Sequence, residues 1–149
     1  MKNHILIKEQ SFQKTRNEIK KNKNKTIIFS SNDDELNRKI LEKEKIDILL
    51  LNQSSRKDKL KQRNSGLNHV LAKIAKRKNV TIGINFDEII KTNKENKSEI
   101  LSRIKQNIKL CNKNKLKMKF VIQNKNNLRD IYDLKALGLI LGMPTWMIK

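Results

Sequence analysis

The sequence predicts an α/β fold built on a parallel sheet, and three observations predict it. Apolar runs with the character of buried strands alternate with stretches of helical periodicity, the central runs are continuous, and the spacing between them leaves room for a helical crossover. Residues 46–51 (IDILLL) and 80–86 (VTIGINF) are the clearest strands, the second rich in β-branched side chains. Between them Leu67, Val70, Leu71, Ile74 and Ala75 recur at three- and four-residue spacing, which predicts a helix over 67–78 capped by Asn64 or Ser65. A chain that leaves a strand, runs through a helix and re-enters the sheet returns parallel, right-handed by default.

The same unit repeats on either side. Further strands are predicted over 4–7, 26–30 and 117–123, and further helices over 11–21, 33–43, 98–112 and 128–141. The 11–21 helix has only Phe12 and Ile19 as apolar anchors. The 33–43 helix starts well, because Asn32 can cap it while Glu35 occupies the reciprocal capping-box position. Cys111 falls in register with Ile100, Ile104 and Ile108, which makes it a small buried apolar residue rather than a nucleophile, and a lone cysteine forms no internal disulfide. Tyr132 keeps step with Leu128, Ile131 and Leu139 and is assigned to the core, although it and Trp146 are the residues that could stack on bases. Five regular units favour a partial barrel or an open wound sheet, and 149 residues suit a single domain over 1–149 with 143–149 as its tail. No apolar run approaches the roughly 20 residues of a membrane span. Residues 1–7 lack the features of a signal peptide, so a cytoplasmic protein without membrane contact is expected.

Catalytic motifs are missing. There is no glycine-rich phosphate loop, no dinucleotide fingerprint, no zinc-protease helix and no cysteine pair that could hold zinc. A multi-metal centre needs several histidines and carboxylates converging at strand ends, and the chain has only His4 and His69. No catalytic residue and no metal ligand are therefore assigned. Asp33 and Asp34 sit at a helix start, where negative charge complements the macrodipole, and Asp87 and Glu88 read the same way. Asp47, at the start of an apolar strand, requires a hydrogen-bond partner.

Charge points elsewhere. The chain carries 35 Lys or Arg against 15 Asp or Glu, a net +20, and the excess is clustered. Residues 52–79 hold nine basic residues against Asp58 alone, and residues 100–129 hold nine with no acid, so these two segments account for +17 of the total. A compositional drift towards lysine would spread more evenly, whereas clustered Lys and Arg form the electrostatic footprint of nucleic-acid binding. In a parallel α/β unit the loop after 46–51 opens at the strand C-terminal face, and Arg56, Lys57, Lys59, Lys61 and Arg63 lie there. Lys76, Arg77 and Lys78 end one helix and Lys109, Lys113 and Lys115 the next, which places a second patch on the opposite face. Helix C-terminal lysines also complement the dipole, by a few tenths to about 1 kcal/mol each. The loop has no such structural explanation. Basic loops without interleaved aromatics favour phosphate contact over base readout.

Beyond pattern, the wording of residues 47–80 is similar to one family. Asp47-Ile48-Leu49, the basic loop, then Gly66-Leu67-Asn68-His69-Val70-Leu71-Ala72-Lys73 and Asn79-Val80 before an Ile-rich strand resemble archaeal ribonuclease P protein component 3, related to a subunit of the eukaryotic enzyme. Asp133-Leu134-Lys135-Ala136-Leu137-Gly138 through Leu141-Gly142-Met143 are similar to a later segment of that family, and the likeness extends over 25–143. The resemblance implies a partial or shortened TIM-barrel-like fold of the PHP type. Because the family's barrel is fuller, Pro144, Thr145 and Trp146 are expected to begin a tail that covers an open edge. It further implies a noncatalytic RNA-binding subunit of ribonuclease P that supports 5′ maturation of precursor tRNA, with no cofactor in the protein and magnesium expected for the RNA-based enzyme. The implied partners are ribonuclease P RNA, precursor tRNA in the assembled enzyme, component 2 and other protein subunits. Component 2 is expected on apolar surface from 85–90 and 128–143. Expected RNA contacts are Arg56, Lys57, Lys59, Lys61, Arg63, Asn68, His69, Lys76, Arg77, Lys78, Lys113 and Lys115. The alternative class is a stand-alone metal-dependent phosphodiesterase of related barrel ancestry, against which the sparse histidine content speaks.

Overall fold

A computed structural model describes residues 3–8 and 11–148. Strands β1 (His4–Ile7), β2 (Thr26–Phe29), β3 (Ile48–Leu51), β4 (Thr81–Asn85) and β5 (Met118–Val121) pair in sequence order, every neighbour parallel. Between and after them come α1 (Phe12–Lys21), α2 (Asp34–Lys43), α3 (His69–Arg77), α4 (Phe86–Lys91), α5 (Lys94–Lys113) and α6 (Ile131–Leu141). Among the described residues β1 and β5 are edges, so the sheet is an arc of a barrel rather than a closed one.

Alternation of side chains divides the interior in two. Ile27, Phe29, Leu49, Leu51, Ile82 and Ile84 face outward and merge with residues of α2, α3 and α5 into the main core. Ile28, Ile48, Leu50 and Val121 face the other way with Leu6 beside them, and no helix joins that cluster. Sequential parallel strands with crossovers of one hand put every helix on one side. The curl of the sheet then buries the concave residues against one another. Lys8, after β1, and Asp87, after β4, line one cavity at the C-terminal ends of the strands. On the concave side, a Cβ at Gly83 would lie 3.0 Å from Ile48 Cγ2 and 3.1 Å from both Leu50 Cδ1 and Val121 Cγ2, so the bare backbone of β4 is what lets this cluster close.

All five predicted strands form, each with the same core of residues, and the five predicted helices form with shifted ends. A sixth, α4, follows β4 without a loop, with Asn85 as its cap. Two caps differ from expectation. Asp33 caps α2 by accepting from the amides of Glu35 and Leu36, while the Asn32 carboxamide oxygen accepts from Asn52 Nδ2. Asn68, not Asn64 or Ser65, caps α3 by accepting from Leu71 N at 2.9 Å. Gly66, in the left-handed region at φ +77°, turns the chain after Ser65 and delays the helix. The start at His69 makes Leu71, Ala72, Ile74 and Ala75 the buried stripe and leaves Val70 exposed. Asp47, which burial would have obliged to find a partner, is exposed and still accepts from Ile27 N at 2.8 Å, tying the start of β3 to β2. Cys111 is buried beside Ile100, Ile104 and Ile108, and burial pushes its thiol up to about 12.

Tyr132 is not core. It is exposed with Leu128, Ile131, Leu139 and Ile140, whereas α6 packs through Leu134, Leu137, Gly138 and Leu141. A helix apolar on nearly every face carries two candidate stripes, and spacing alone cannot choose between them. Met143 and Met147 are buried in the main core, and Trp146 donates its indole N–H to Asn112 Oδ1 at 3.2 Å. Beside β5 a groove of about 380 Å³ remains, lined by Phe120, Ile131, Leu134, Met143 and Met147. Among the described residues no helix is long and apolar enough to cross a membrane.

Candidate nucleic-acid interface

The basic loop between β3 and α3 leaves the sheet at its C-terminal edge, as the parallel topology requires. Its first arginine turns inward. Arg56 forms a two-pronged pair with Asp34, Nη1 to Oδ2 at 2.8 Å and Nη2 to Oδ1 at 3.0 Å, and donates through Nε to the Asn52 carbonyl. Its side chain is only 9% exposed, and a Cβ on Gly66 would collide with its guanidinium. Asp34 thus anchors the loop as well as standing in the first turn of α2.

Asp58, the loop's own acid, gathers the rest. It accepts from Arg63 Nη1 at 3.0 Å, from Asn64 N at 2.9 Å and from Arg103 Nε at 2.9 Å. The hydrogen bond from Arg103 first, with that from Asn64 and the two nearby guanidinium charges, holds its carboxyl below the usual range against the opposing effect of burial. Arg103 reaches in from α5 and is buried. Its remaining nitrogens donate to the carbonyls of Gln53 and Arg56. Beside it Gln106 donates to Arg63 O and Ser65 Oγ, and Asn107 to Ser65 O. A Lys59 N to Gln62 O bond closes a tight turn, at whose tip Leu60 is fully exposed.

What is left for solvent is a row of lysines. Lys57, Lys59 and Lys61 are exposed and have no side-chain partner among the described residues. His69 is exposed at the first position of α3, beside Asn68, and both line a groove of about 700 Å³ with Lys59, Arg63 and Gln106. The second cluster lies at the opposite edge of the sheet. There Lys76 Nζ donates to the Lys115 carbonyl, and Lys78 Nζ caps the end of α2 through the carbonyls of Glu42 and Glu44. Lys115 lies over the Trp146 ring at 5.8 Å, which engages that indole, while Arg77 and Lys113 are exposed.

At the strand C-terminal ends, where a barrel enzyme would place its chemistry, the carboxylates hold loops together. Asp87 accepts from Gln123 N, Asn124 N and Asn127 Nδ2. Burial raises its carboxyl, but those bonds and Lys8 outweigh it and the net shift is downward. Glu88 accepts from Gln53 N and from both the amide and hydroxyl of Ser54. Neither residue merely complements the α4 dipole, as their position suggested; they tie the ends of β3 and β5 to β4. Among the described residues no three His, Cys, Asp or Glu side chains come together in a way that could hold a metal ion. His4 opens β1 at one edge of the sheet and His69 opens α3 at the other, so the two histidines never meet.

A family model described as RNase P subunit p30 matches residues 4–146. The chain belongs to that family. Ribonuclease P protein component 3 of Methanococcus maripaludis strain S2 is 32% identical over 126 residues, 83% of this chain and 50% of the relative. The Methanocaldococcus jannaschii protein of the same name is 30% identical, over 97% of this chain and 62% of its own length. In structure the chain is similar to one from the cryo-EM structure of archaeal ribonuclease P with mature tRNA. There the TM-score is 0.78 at 25% identity, over 98% of this chain and 62% of that one. This p30-family chain thus spans roughly half to three fifths of the relatives it matches. The structural likeness takes in nearly the whole of its parallel α/β architecture.

The sequence missed the role of the acids in the basic loop. Asp34 and Asp58 decide which arginines face inward, and Arg103 lies forty-five positions from the residue it pairs with. The available signal was the isolation of Asp58 in a basic run, where an acid needs a reason to be present.

Proposed function

We propose that this p30-family chain acts as a noncatalytic RNA-binding subunit of an archaeal ribonuclease P, supporting 5′ maturation of precursor tRNA by an RNA-based enzyme that uses magnesium in the cytoplasm. The observation that carries the reading is the structural likeness of nearly the whole chain to a protein chain of ribonuclease P. The loop lysines supply the chemistry: Lys57, Lys59 and Lys61, with Arg63 and His69 beside them, form a surface for phosphates of ribonuclease P RNA or precursor tRNA. Arg56 leaves the contact set, since its guanidinium is satisfied by Asp34, and Asn68 contributes only what its capping role leaves over. Arg77 and Lys113, with Lys76, Lys78 and Lys115, form a secondary surface.

For the protein partner, component 2 above all, the exposed apolar residues of α6 are the docking surface. Within 85–90, Phe86 and Ile89 are buried and only Ile90 is partly exposed, so Leu128, Ile131, Tyr132 and Leu139 carry this expectation. Specific interfaces bury roughly 1,200–2,000 Å² in total, and a partner that binds only the folded state raises its melting temperature by mass action.

The test is reconstitution. Adding the purified chain to ribonuclease P RNA with component 2 and the other subunits raises cleavage of precursor tRNA, while the protein without RNA cleaves nothing in magnesium, manganese or zinc. Metal-dependent turnover that follows the protein peak and disappears in His69→Ala would instead establish a phosphodiesterase.

A further inference from the structure

An acid is out of place in a phosphate-binding loop. Asp58 is the one negative residue in 52–79, and removing its charge should strengthen RNA binding if the loop acts only as a cloud of positive charge. The structure gives it another occupation. One guanidinium, Arg103, is 3% exposed and makes three bonds that span the loop: to Asp58 Oδ1 at 2.9 Å, to the Gln53 carbonyl at 2.9 Å and to the Arg56 carbonyl at 2.8 Å. Planar, always charged and five-donor, Arg is the side chain suited to such a junction; Lys could not span it. Asp58 then passes the constraint on to Arg63 and to the Asn64 amide, just before Gln106 and Asn107 grip Ser65.

We propose that Asp58 and Arg103 are positioning residues that pre-order the loop, so that Lys57, Lys59 and Lys61 meet successive phosphates as a fixed array; this rests on the reading of that loop as an RNA interface. A flexible lysine loop must lose side-chain and backbone freedom on binding, and that loss weakens the affinity. A loop braced from α5 has lost much of that freedom in folding. The brace therefore acts on affinity without making a phosphate contact.

Charge counting and pre-ordering give opposite signs for one substitution. In the full chain, Asp58→Asn adds one net positive charge and keeps the side-chain shape. Its binding to a folded tRNA is followed by filter retention across a salt series, well below the melting transition, with hydrogen exchange read at the amides of 54–66. The expected result is about tenfold weaker binding at each salt concentration, a slope of log K against log salt no shallower than that of wild type, and faster exchange in the loop. Arg103→Lys, which keeps the charge and loses the fork, is expected to weaken binding in the same way. Tighter binding by Asp58→Asn, loop exchange equal to wild type, or full affinity in Arg103→Lys would each overturn the brace. Failure of the interface reading itself has a different signature, a salt slope left unchanged when Lys57, Lys59 and Lys61 are replaced by Ala, and it would remove the array together with the interface.

Discussion

The two basic regions are both strongly cationic and are built in opposite ways. In the loop after β3 carboxylates and a backbone carbonyl hold the arginines, Arg56 on Asp34 and Asn52 O and Arg63 on Asp58, so the lysines project unengaged. At the helix ends three of the lysines are themselves engaged: Lys78 on two carbonyls at the end of α2, Lys76 on the Lys115 carbonyl, Lys115 on Trp146. The difference is chemical. An arginine fork can tie several acceptors of a loop at once, whereas a lysine reaches one helix end as a point charge. Net charge alone would have ranked the helix ends first, with six cations against five cations and an acid in the loop; among the described residues the three loop lysines are all unengaged, whereas half of the helix-end cations, Lys76, Lys78 and Lys115, already have partners.

The largest effect expected from this contrast is on RNA binding. Replacing Lys57, Lys59 and Lys61 by Ala should lower the salt slope by roughly 3 units if each meets a phosphate, since each duplex phosphate contributes about 0.9. Replacing Arg77, Lys109 and Lys113 removes the same charge from the other cluster and should lower it by less than about 1 unit. A salt series on both triple variants decides between them, and equal losses would erase the distinction.

Stability should show the reverse order. Lys78→Met removes the cap on the last carbonyls of α2, and hydrogen bonds from a charged donor contribute roughly 1.5–3 kcal/mol when buried, so about 1–2 kcal/mol is expected for this half-buried ammonium. Lys59→Met touches nothing and should leave the melting temperature within ~1 °C. Denaturant melts of the two variants are the check.

Acid separates the regions more gently. The carboxyls of Asp58 and Asp87 lie below their ordinary value of 3.8 in the folded protein. A depressed carboxylate contributes stability that is present above the unfolded pKa and lost as pH falls through the folded one. The protection of the 54–66 amides, taken relative to their intrinsic exchange at each pH, should thus be constant between pH 8 and 5 and fall only below about 3.8, whereas the lysine contacts on carbonyls at the helix ends persist through that range. Protection lost in step with a titration near pH 6 would place the control elsewhere.

Much of this architecture was legible because the strands speak twice. Ile48, Leu49, Leu50 and Leu51 are all buried, which a continuous apolar run in a parallel sheet announces, and the Ile100, Ile104, Ile108 and Cys111 stripe announces α5. What was illegible depends on contacts distant in sequence. Arg56 and Lys57 look alike as neighbours in a basic run, and only the arrival of Asp34 from α2 makes one internal and the other external. Tyr132 failed for a different reason: α6 is apolar all round, so its periodicity does not select the face that packs.

The smallest expected effect concerns Lys115 and isolates backbone from charge. Lys115 and Asn79 occupy equivalent turns, each in the left-handed region, at φ 55° and 58°, where helix passes to strand through the same hydrogen bonds: Lys115 N to Asn112 O with Leu116 N to Cys111 O, and Asn79 N to Lys76 O with Val80 N to Ala75 O. Asn tolerates this conformation; Lys does so only at a cost of roughly 1 kcal/mol or more. Lys115→Ala keeps that strain and loses the contact with Trp146, worth about 0.5–1 kcal/mol at an exposed site, so it should destabilise. Lys115→Gly loses the same contact but relieves the strain, offset in part by about 0.4–1 kcal/mol of extra freedom in the unfolded chain. The glycine variant should therefore come out more stable than the alanine variant by a few tenths to about 1 kcal/mol, with identical salt slopes for RNA. If the two unfold together, the turn holds no strain; if both lose RNA affinity alike, Lys115 belongs with the loop lysines after all.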